Sequence, residues 1–543
     1  MSSTSSFQKT FLLYGPLPVK KLAAPDNGEL WMDGSTPLTI QEATQGKSDL
    51  SFPPTFMWGA ATAAYQIEGG LRNCNWSRWE DQKTRQHDGQ PTVEHHETAV
   101  KACRAWEMFD TDLEHMKKLG MKMYRFSVEW SRIEPACGSF DATAVERYQS
   151  WCQQLVDAGI EPMVTLHHFT EPAWFVEKEG WENRDNLQFF QRFVIHITQA
   201  LAPHCRYWTT INELNGYAIC GWIAGVHPPG KVNDLFGMLR VARHLLVAHT
   251  LAAAAIRASS AVVQKQDPVI CLALNHVYFL PFDSNQHPIP TTSPLALLAW
   301  LLNRLLSTIV SLFLNYVYNF VFLDAIFSQQ HAGRFPLFPF PFHIAALLAG
   351  WNDDIANLKG SADWIGVNHY YRSYVQFGRT RGSTTSTPQQ ASPTDMFIAL
   401  PVVGMELRAT AIANFEKNEM GWDLTPSSME RLLRILADRY PNVPIIITES
   451  GTADTTDTKR VRYIAAILRA MYNLMNNSNN DNNTKAVDIR GYLIWTLMDN
   501  FEWAEGYRPK FGLLETNFET LERTERKLTC DMLRKVFCQD ASG

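Results

Sequence analysis

A helical run that stops at a glycine and passes straight into a strand-like run recurs along this chain. No other feature limits the fold so tightly. From Arg104 to Leu119 one helical face carries Trp106, Phe109, Leu113 and Met116, and Gly120 follows as a natural C-terminal cap. Met121 to Trp130 then alternates with the two-residue period of a strand. Ala144 to Ala158 repeats the helix, Gly159 the cap and Ile160 to Phe169 the strand. Leu187 to Leu201 and Tyr207 to Asn212 repeat the pair again. Strands are expected to begin near Phe56, Lys122, Glu161, Arg206, Val269, Asp363, Val443 and Gly491. Eight strands alternating with helices place the chain in the α/β class, as a parallel sheet closed into a (β/α)8 barrel.

At ~150 residues per domain a chain of this length would divide into several units. The even spacing argues instead for one elaborated domain with long loop insertions. An N-terminal extension over 1–50, a barrel over 51–520 with a hydrophobic insertion at about 282–327, and a C-terminal helix or tail over 521–543 account for it. Two loops stand out by composition, Ser383 to Pro393 and the asparagine-rich Asn476 to Asn483. With 45% hydrophobic and 19% charged residues the chain buries a large core rather than remaining disordered. Its net charge of −6 argues against a nucleic-acid partner. Nine cysteines, an odd number with no Cys-x-x-Cys pair, indicate neither a disulfide framework nor a zinc cluster. The apolar stretch Phe11 to Val19 is broken by Gly15, Pro16 and Pro18 and makes a poor secretory core, so a cytoplasmic location is expected.

The insertion holds an uncharged run, Leu305 to Leu323, long enough to raise the question of a membrane span. Arg304, Thr308, Ser311, Asn315 and Asn319 recur every three or four residues within it and draw a polar stripe along a helix. An amphipathic helix packed on the body of the protein is the expectation. A weak membrane-surface contact through residues 294–323 is the alternative.

In barrels of this kind the site forms at the C-terminal ends of the strands. Those ends carry Gln66 and Glu68, Arg125, His168, Asn212 with Glu213, Asn275 with His276, Asn368 with Tyr370, Glu449, and finally Trp495, Glu502 and Trp503. Apolar strands that each finish on a polar residue are expected to aim these tips into one pocket. Two carboxylates, Glu213 and Glu449, face one another across its mouth, with amides, a histidine and tryptophans around them. Such a set suits a pyranose, whose hydroxyls need bidentate partners and whose C–H face needs an aromatic platform. Paired carboxylates are what glycosidic cleavage requires, one to protonate the leaving oxygen and one to attack or to activate water. The pairs His95/His96 and His167/His168 are not read as metal ligands, because neighbours on a strand point to opposite faces.

Longer stretches surround these residues: Phe56-Met-Trp-Gly-Ala-Ala-Thr-Ala-Ala-Tyr-Gln-Ile-Glu-Gly69, Tyr124-Arg-Phe-Ser-Val-Glu-Trp-Ser-Arg-Ile-Glu-Pro135 and Thr210-Ile-Asn-Glu213. Ile365-Gly-Val-Asn-His-Tyr370, Ile447-Thr-Glu-Ser-Gly451 and Trp495-Thr-Leu-Met-Asp-Asn-Phe-Glu-Trp503 with Gly506-Tyr507 follow in order. Through them the chain resembles glycoside hydrolase family 1, the β-glucosidase family, from about Phe52 to Phe518. The resemblance implies a retaining hydrolase that releases terminal β-D-glucosyl residues without metal or organic cofactor, its two carboxyls about 5–5.5 Å apart. Glu213 would be the acid/base and Glu449 the nucleophile, with Arg125 and Tyr370 keeping Glu449 ionised. Gln66, His168, Asn212, Asn368, Glu502 and Trp503 would bind the substrate and Trp495 would stack beneath the ring. Trp422 would form an aglycone platform and Phe511 a pocket wall. A carboxylate at Glu502 would repel a 6-phosphate.

Five positions depart from the family pattern: Phe169, Leu214, His369, Asp423 and Ser450. None removes a catalytic carboxylate. They cluster at the rims, as does the insertion, and so bear on substrate choice. A β-galactosidase, β-fucosidase or transglycosidase would use the same residues. A glycoside-binding pseudoenzyme would lack Glu213 or Glu449, and both are present.

Overall fold

A computed structural model describes residues 50–263, 267–281, 293–327, 358–379, 397–400, 405–410, 416–476 and 485–537, with Gln41 and Ala43. The stretch Phe11 to Val19, the loop Ser383 to Pro393 and most of the asparagine-rich run lie outside them. Eight parallel strands close a barrel: β1 (Met57–Ala61), β2 (Met123–Ser127), β3 (Glu161–His167), β4 (Tyr207–Asn212), β5 (Val269–Asn275), β6 (Trp364–Asn368), β7 (Ile445–Ser450) and β8 (Ile489–Trp495). Each begins within two residues of its expected position. Neighbours in sequence are neighbours in space, and β8 pairs with β1 in register from Met57 opposite Gly491 to Ala61 opposite Trp495.

Local chemistry explains these elements. Helix α1 (Ala105–Leu119) ends on Gly120, whose φ of 71° is left-handed backbone that glycine adopts without a Cβ penalty. Helix α2 (Ala142–Asp157) starts at Asp141, whose carboxylate accepts from the amides of Thr143 and Ala144 at 2.9 and 3.2 Å. Helix α3 (Leu187–Leu201) packs its buried face of Phe190, Phe193, Val194 and Ile197 inward. The strands are buried on both faces, as a parallel barrel under a ring of helices must be.

A second, four-stranded sheet outside the barrel was not legible in the sequence. Its order is Tyr278–Pro281, Arg372–Arg379, Met405–Thr410, Phe397–Leu400. The first of these is a four-residue edge strand closed by proline, too short for a period to register.

Two stretches, Leu235–Val263 and Trp300–Phe327, are long and apolar enough to cross a membrane by length and composition. Both lie against the body. Helix α4 (Leu214–Trp222) and then α5 (Leu235–Val263) follow β4, and α5 packs along α3. The insertion forms α6 (Pro294–Leu314), a π-helical turn over Asn315–Phe320 and α7 (Val321–Phe327). It packs through its polar side. Ser307, Ser311, Asn315 and Asn319 are buried, whereas Leu295, Leu298, Leu302, Leu305 and Ile309 are each more than half exposed. The amphipathic pattern is present, but its usual orientation is reversed. The asparagine carboxamides satisfy the backbone of the edge strand, and that requirement outweighs burial of the leucines.

Candidate active site

The C-terminal ends of the strands bring one hydrogen-bonded constellation together. Arg125 on β2 is fully buried, and its guanidinium forks to two partners. One arm donates to Glu449 Oε1 at 2.5 Å and the other to Asn212 Oδ1 at 2.7 Å. Its Nε donates to Thr165 Oγ1 at 3.0 Å, which locks the fork in place. Tyr370 donates its hydroxyl to Glu449 Oε2 at 2.8 Å, so both oxygens of that carboxyl are held. Asn368 on β6 donates to Asn212 Oδ1 at 3.1 Å and to Glu213 Oε1 at 2.8 Å. Its own oxygen accepts from Thr448 at 2.6 Å. Asn275 donates to Glu213 Oε2 at 3.0 Å. Glu213 and Glu449 are therefore joined through Asn368, Asn212 and Arg125.

Glu213 adopts a left-handed φ of 45° immediately before α4, an uncommon conformation for a residue with a Cβ and one that projects it from the strand end. Burial first, and the charge of Glu449 second, push its pKa up to about 7, against the opposing pull of Asn368, Asn275 and Arg125. That is the sense a proton donor needs. Glu449 is a finding against expectation. Arg125, Tyr370 and Asn368 all favour its ionised form, yet burial is the larger effect and leaves its pKa above the ordinary carboxylate value. Tyr370 itself is held far above the ordinary phenol value by burial and by Glu449, so it stays a donor.

The other side of the site is amphipathic. Gln66 donates to Asn500 Oδ1, to the Phe501 carbonyl and to Glu502 Oε2 at 3.1, 2.8 and 3.4 Å. His168 meets the Asn212 amide at 3.1 Å and lies roughly parallel to Trp495 and Trp503 at 5.9 and 6.1 Å. Burial and Arg125 keep its ring neutral. Burial pushes Glu502 up to about 8. Trp422 packs between Tyr371, stacked at 4.7 Å, and Phe511 at 6.0 Å, with Tyr370 at 5.5 Å.

Two strand-end residues do not join this set. Glu68 turns away to Tyr148 and Arg132 at 2.6 and 2.9 Å, and His276 folds onto the Leu274 carbonyl at 2.9 Å. Glu68 caps the helical turn Ala64–Ile67 that carries Gln66 and so leaves on another face of that turn, whereas at His276 the alternation of neighbours turns its ring away from the side that Asn275 presents. The same alternation separates the histidine pair, since His167 contacts Glu171 at 2.9 Å while His168 enters the site. Thr165 and Thr448 were overlooked, because what brings them in is a contact across strands, Thr165 with Arg125 and Thr448 with Asn368, that no local pattern announces. Of the departures, His369 is tied to the His276 carbonyl and Ser428 at 2.6 and 2.7 Å, Asp423 accepts from Lys417 at 2.6 Å, and Phe169 packs on Tyr217, His227 and Trp503. Leu214 and Ser450 are fully buried.

Residues 48–530 match the profile of glycosyl hydrolase family 1. The chain belongs to glycosyl hydrolase family 1. It is a glycoside hydrolase on the family's (β/α)8 barrel. Similar proteins of this family include β-glucosidase A of Acetivibrio thermocellus, 29% identical over 88% of this chain and 96% of that one. The human cytosolic β-glucosidase is 27% identical over 87% and 94% of the two chains. Among solved structures, the family 1 β-glucosidase of Thermotoga maritima in complex with isofagomine lactam aligns with a TM-score of 0.72 at 25% identity, over 90% of this chain and 99% of that one. A β-glucosidase from Exiguobacterium marinum aligns with a TM-score of 0.70 at 28% identity, over 91% and 99%.

Proposed function

We propose that this family 1 glycosyl hydrolase is a retaining β-glucosidase that removes terminal non-reducing β-D-glucosyl residues by double displacement. The observation that carries the reading is the contrast between two linked, buried carboxyls. Both oxygens of Glu449 are held by Arg125 and Tyr370, while Glu213 is held only by amides and has its pKa at about 7. Glu449 attacks the anomeric carbon as Glu213 protonates the departing glycosidic oxygen, leaving a glycosyl ester on Glu449. Glu213, now ionised, takes a proton from water as the water's oxygen attacks the same carbon and Glu449 departs. Asn212 binds the 2-hydroxyl, an interaction that strengthens as the oxocarbenium-like transition state forms. Gln66, His168, Glu502 and Trp503 hold the remaining hydroxyls, and Trp495 supports the ring. The names of the similar proteins favour glucose over galactose or fucose.

The test is turnover of an aryl β-D-glucoside by wild type, Glu449→Gly and Glu213→Ala, with azide added back. Rescue yielding α-glucosyl azide from the first variant and β-glucosyl azide from the second is expected. A wild type inert on every aryl glycoside would overturn the reading in favour of a glycoside-binding protein.

The insertion supports a lipophilic aglycone and a lipid-surface contact. A small apolar cluster of Val277, Phe279, Tyr318 and Val375, joined by Ile219, Val310, Leu314 and Tyr371, stands apart from the main core. Tyr318 and Tyr371 lie close enough to Glu213 for its charge to raise their pKa values. Octyl and aryl glucosides should therefore be better substrates than cellobiose, and Tyr318→Ser should erode that preference. Equal losses on all three substrates would sink the aglycone assignment.

A further inference from the structure

Beyond β5 the chain continues to Pro281, first at the barrel rim and then as the edge strand of the second sheet. One side of Tyr278–Pro281 pairs in parallel with Arg372–Arg379. Among the described residues no strand lies on the other side. From the end of β5 into this strand, the backbone groups at 275, 277 and 279 are nevertheless all held, each pair by a single asparagine carboxamide. Asn215 accepts from the Asn275 amide at 3.2 Å and donates to its carbonyl at 2.7 Å. Asn319 does the same for Val277 at 3.1 and 2.8 Å, and Asn315 for Phe279 at 3.0 and 2.5 Å. The three are linked, since Asn215 also donates to the Tyr318 carbonyl at 3.0 Å and Asn319 donates to Asn315 at 3.3 Å. Two of them come from the π-helical turn of the insertion, and the third from α4, directly behind Glu213.

We propose that this asparagine ladder stands in for a missing strand and positions the acid/base: it sets the register of residues 275–279 and so holds the Asn275 carboxamide on Glu213. The proposal rests on the assignment of Glu213 as acid/base. Each oxygen of Glu213 is fixed by a different amide, Oε1 by Asn368 and Oε2 by Asn275, and these two residues are register partners on β6 and β5. A slip of the backbone at 275 therefore withdraws one of the two amides. Asn215, Asn315 and Asn319 are positioning residues, because they act on the backbone and through it on Asn275. The insertion is thereby mechanically joined to proton transfer, a link that a loop serving only substrate access would not need.

The test compares two glucosides. A 2,4-dinitrophenyl leaving group departs without protonation, whereas phenol needs the acid. Asn319→Leu and Asn215→Ser should each lower kcat/KM for phenyl β-D-glucoside about tenfold or more, within the range general acid catalysis supplies, while the dinitrophenyl substrate changes less than about twofold. The basic limb of the pH profile should move up, because the Asn275 hydrogen bond lowers the Glu213 pKa and would be lost. Leu302→Gln, on the outward face of the same insertion, should change neither substrate. If Asn319→Leu does not fold, Asn215→Ser carries the comparison alone. Equal loss on both glucosides, no loss on either, or the same selective loss in Leu302→Gln would overturn the ladder. A wild type that turns over neither glucoside is distinguishable, because there the acid/base assignment itself fails and the proposal falls with it.

Discussion

Arg125 shows how much of this site depends on single side chains. A planar fork reaches Glu449 and Asn212 together, and a lysine cannot reproduce two divergent donors. Arg125→Lys is expected to lower kcat by about 10- to 100-fold, the rate equivalent of ~1.5–3 kcal/mol for a hydrogen bond to a charged group. Because Arg125 lowers the Glu449 pKa, its acidic limb should move to higher pH. Asn368→Leu tests the opposite limb. Asn368 lowers the Glu213 pKa, so its removal should raise that value further and shift the basic limb upward. A downward shift in a pH–rate series would contradict the assignment. His168, Asn212 with Glu213, Asn275, Asn368 and Glu449 could be picked out because each closes or follows an apolar run. Their pairing was not. That Asn368 touches both Asn212 and Glu213 depends on strands from distant parts of the chain meeting in register.

At the scale of elements, the barrel strands announced themselves by length and, before β2 and β3, by the glycines Gly120 and Gly159, while the insertion was legible only in part. Its polar stripe was read correctly as helical, but a stripe alone carries no sign for inward or outward. The edge strand supplies that sign by offering unsatisfied backbone groups to the asparagines. The exposed Leu298, Leu302 and Leu305 then become the candidate lipid contact. Replacing all three with glutamine should abolish co-sedimentation with phosphatidylcholine vesicles while leaving turnover of an aryl glucoside within about twofold of wild type. Unchanged co-sedimentation would remove the membrane role.

For the whole molecule, buried acids make stability depend on pH in an unusual direction. Glu68, Glu80, Glu213 and Glu502 are pushed up to about 7, 7, 7 and 8, and Asp112 to about 6, with burial the largest cause for each. In the unfolded chain such groups titrate near 4. Between these values the folded state binds more protons, so stability falls as pH rises through the folded values. Calorimetry should find the Tm lower at pH 8.5 than at pH 6, and Glu502→Gln should narrow the gap. A Tm that rises over that interval would contradict a destabilising role for these carboxylates.

By itself the sequence determined the alternation of strands and helices, the closure of eight strands into a barrel and the polar residues at its mouth. Those follow from local periodicity, turn chemistry and the alternation of side chains on a strand, all properties of short segments. The tertiary structure decided which oxygen each amide holds, how strongly burial shifts Glu213, Glu449 and Glu502, and which side of the insertion faces in. Each of these is a balance between groups far apart in the chain. Desolvation, register and the satisfaction of backbone amides take their values only once those groups are enclosed together.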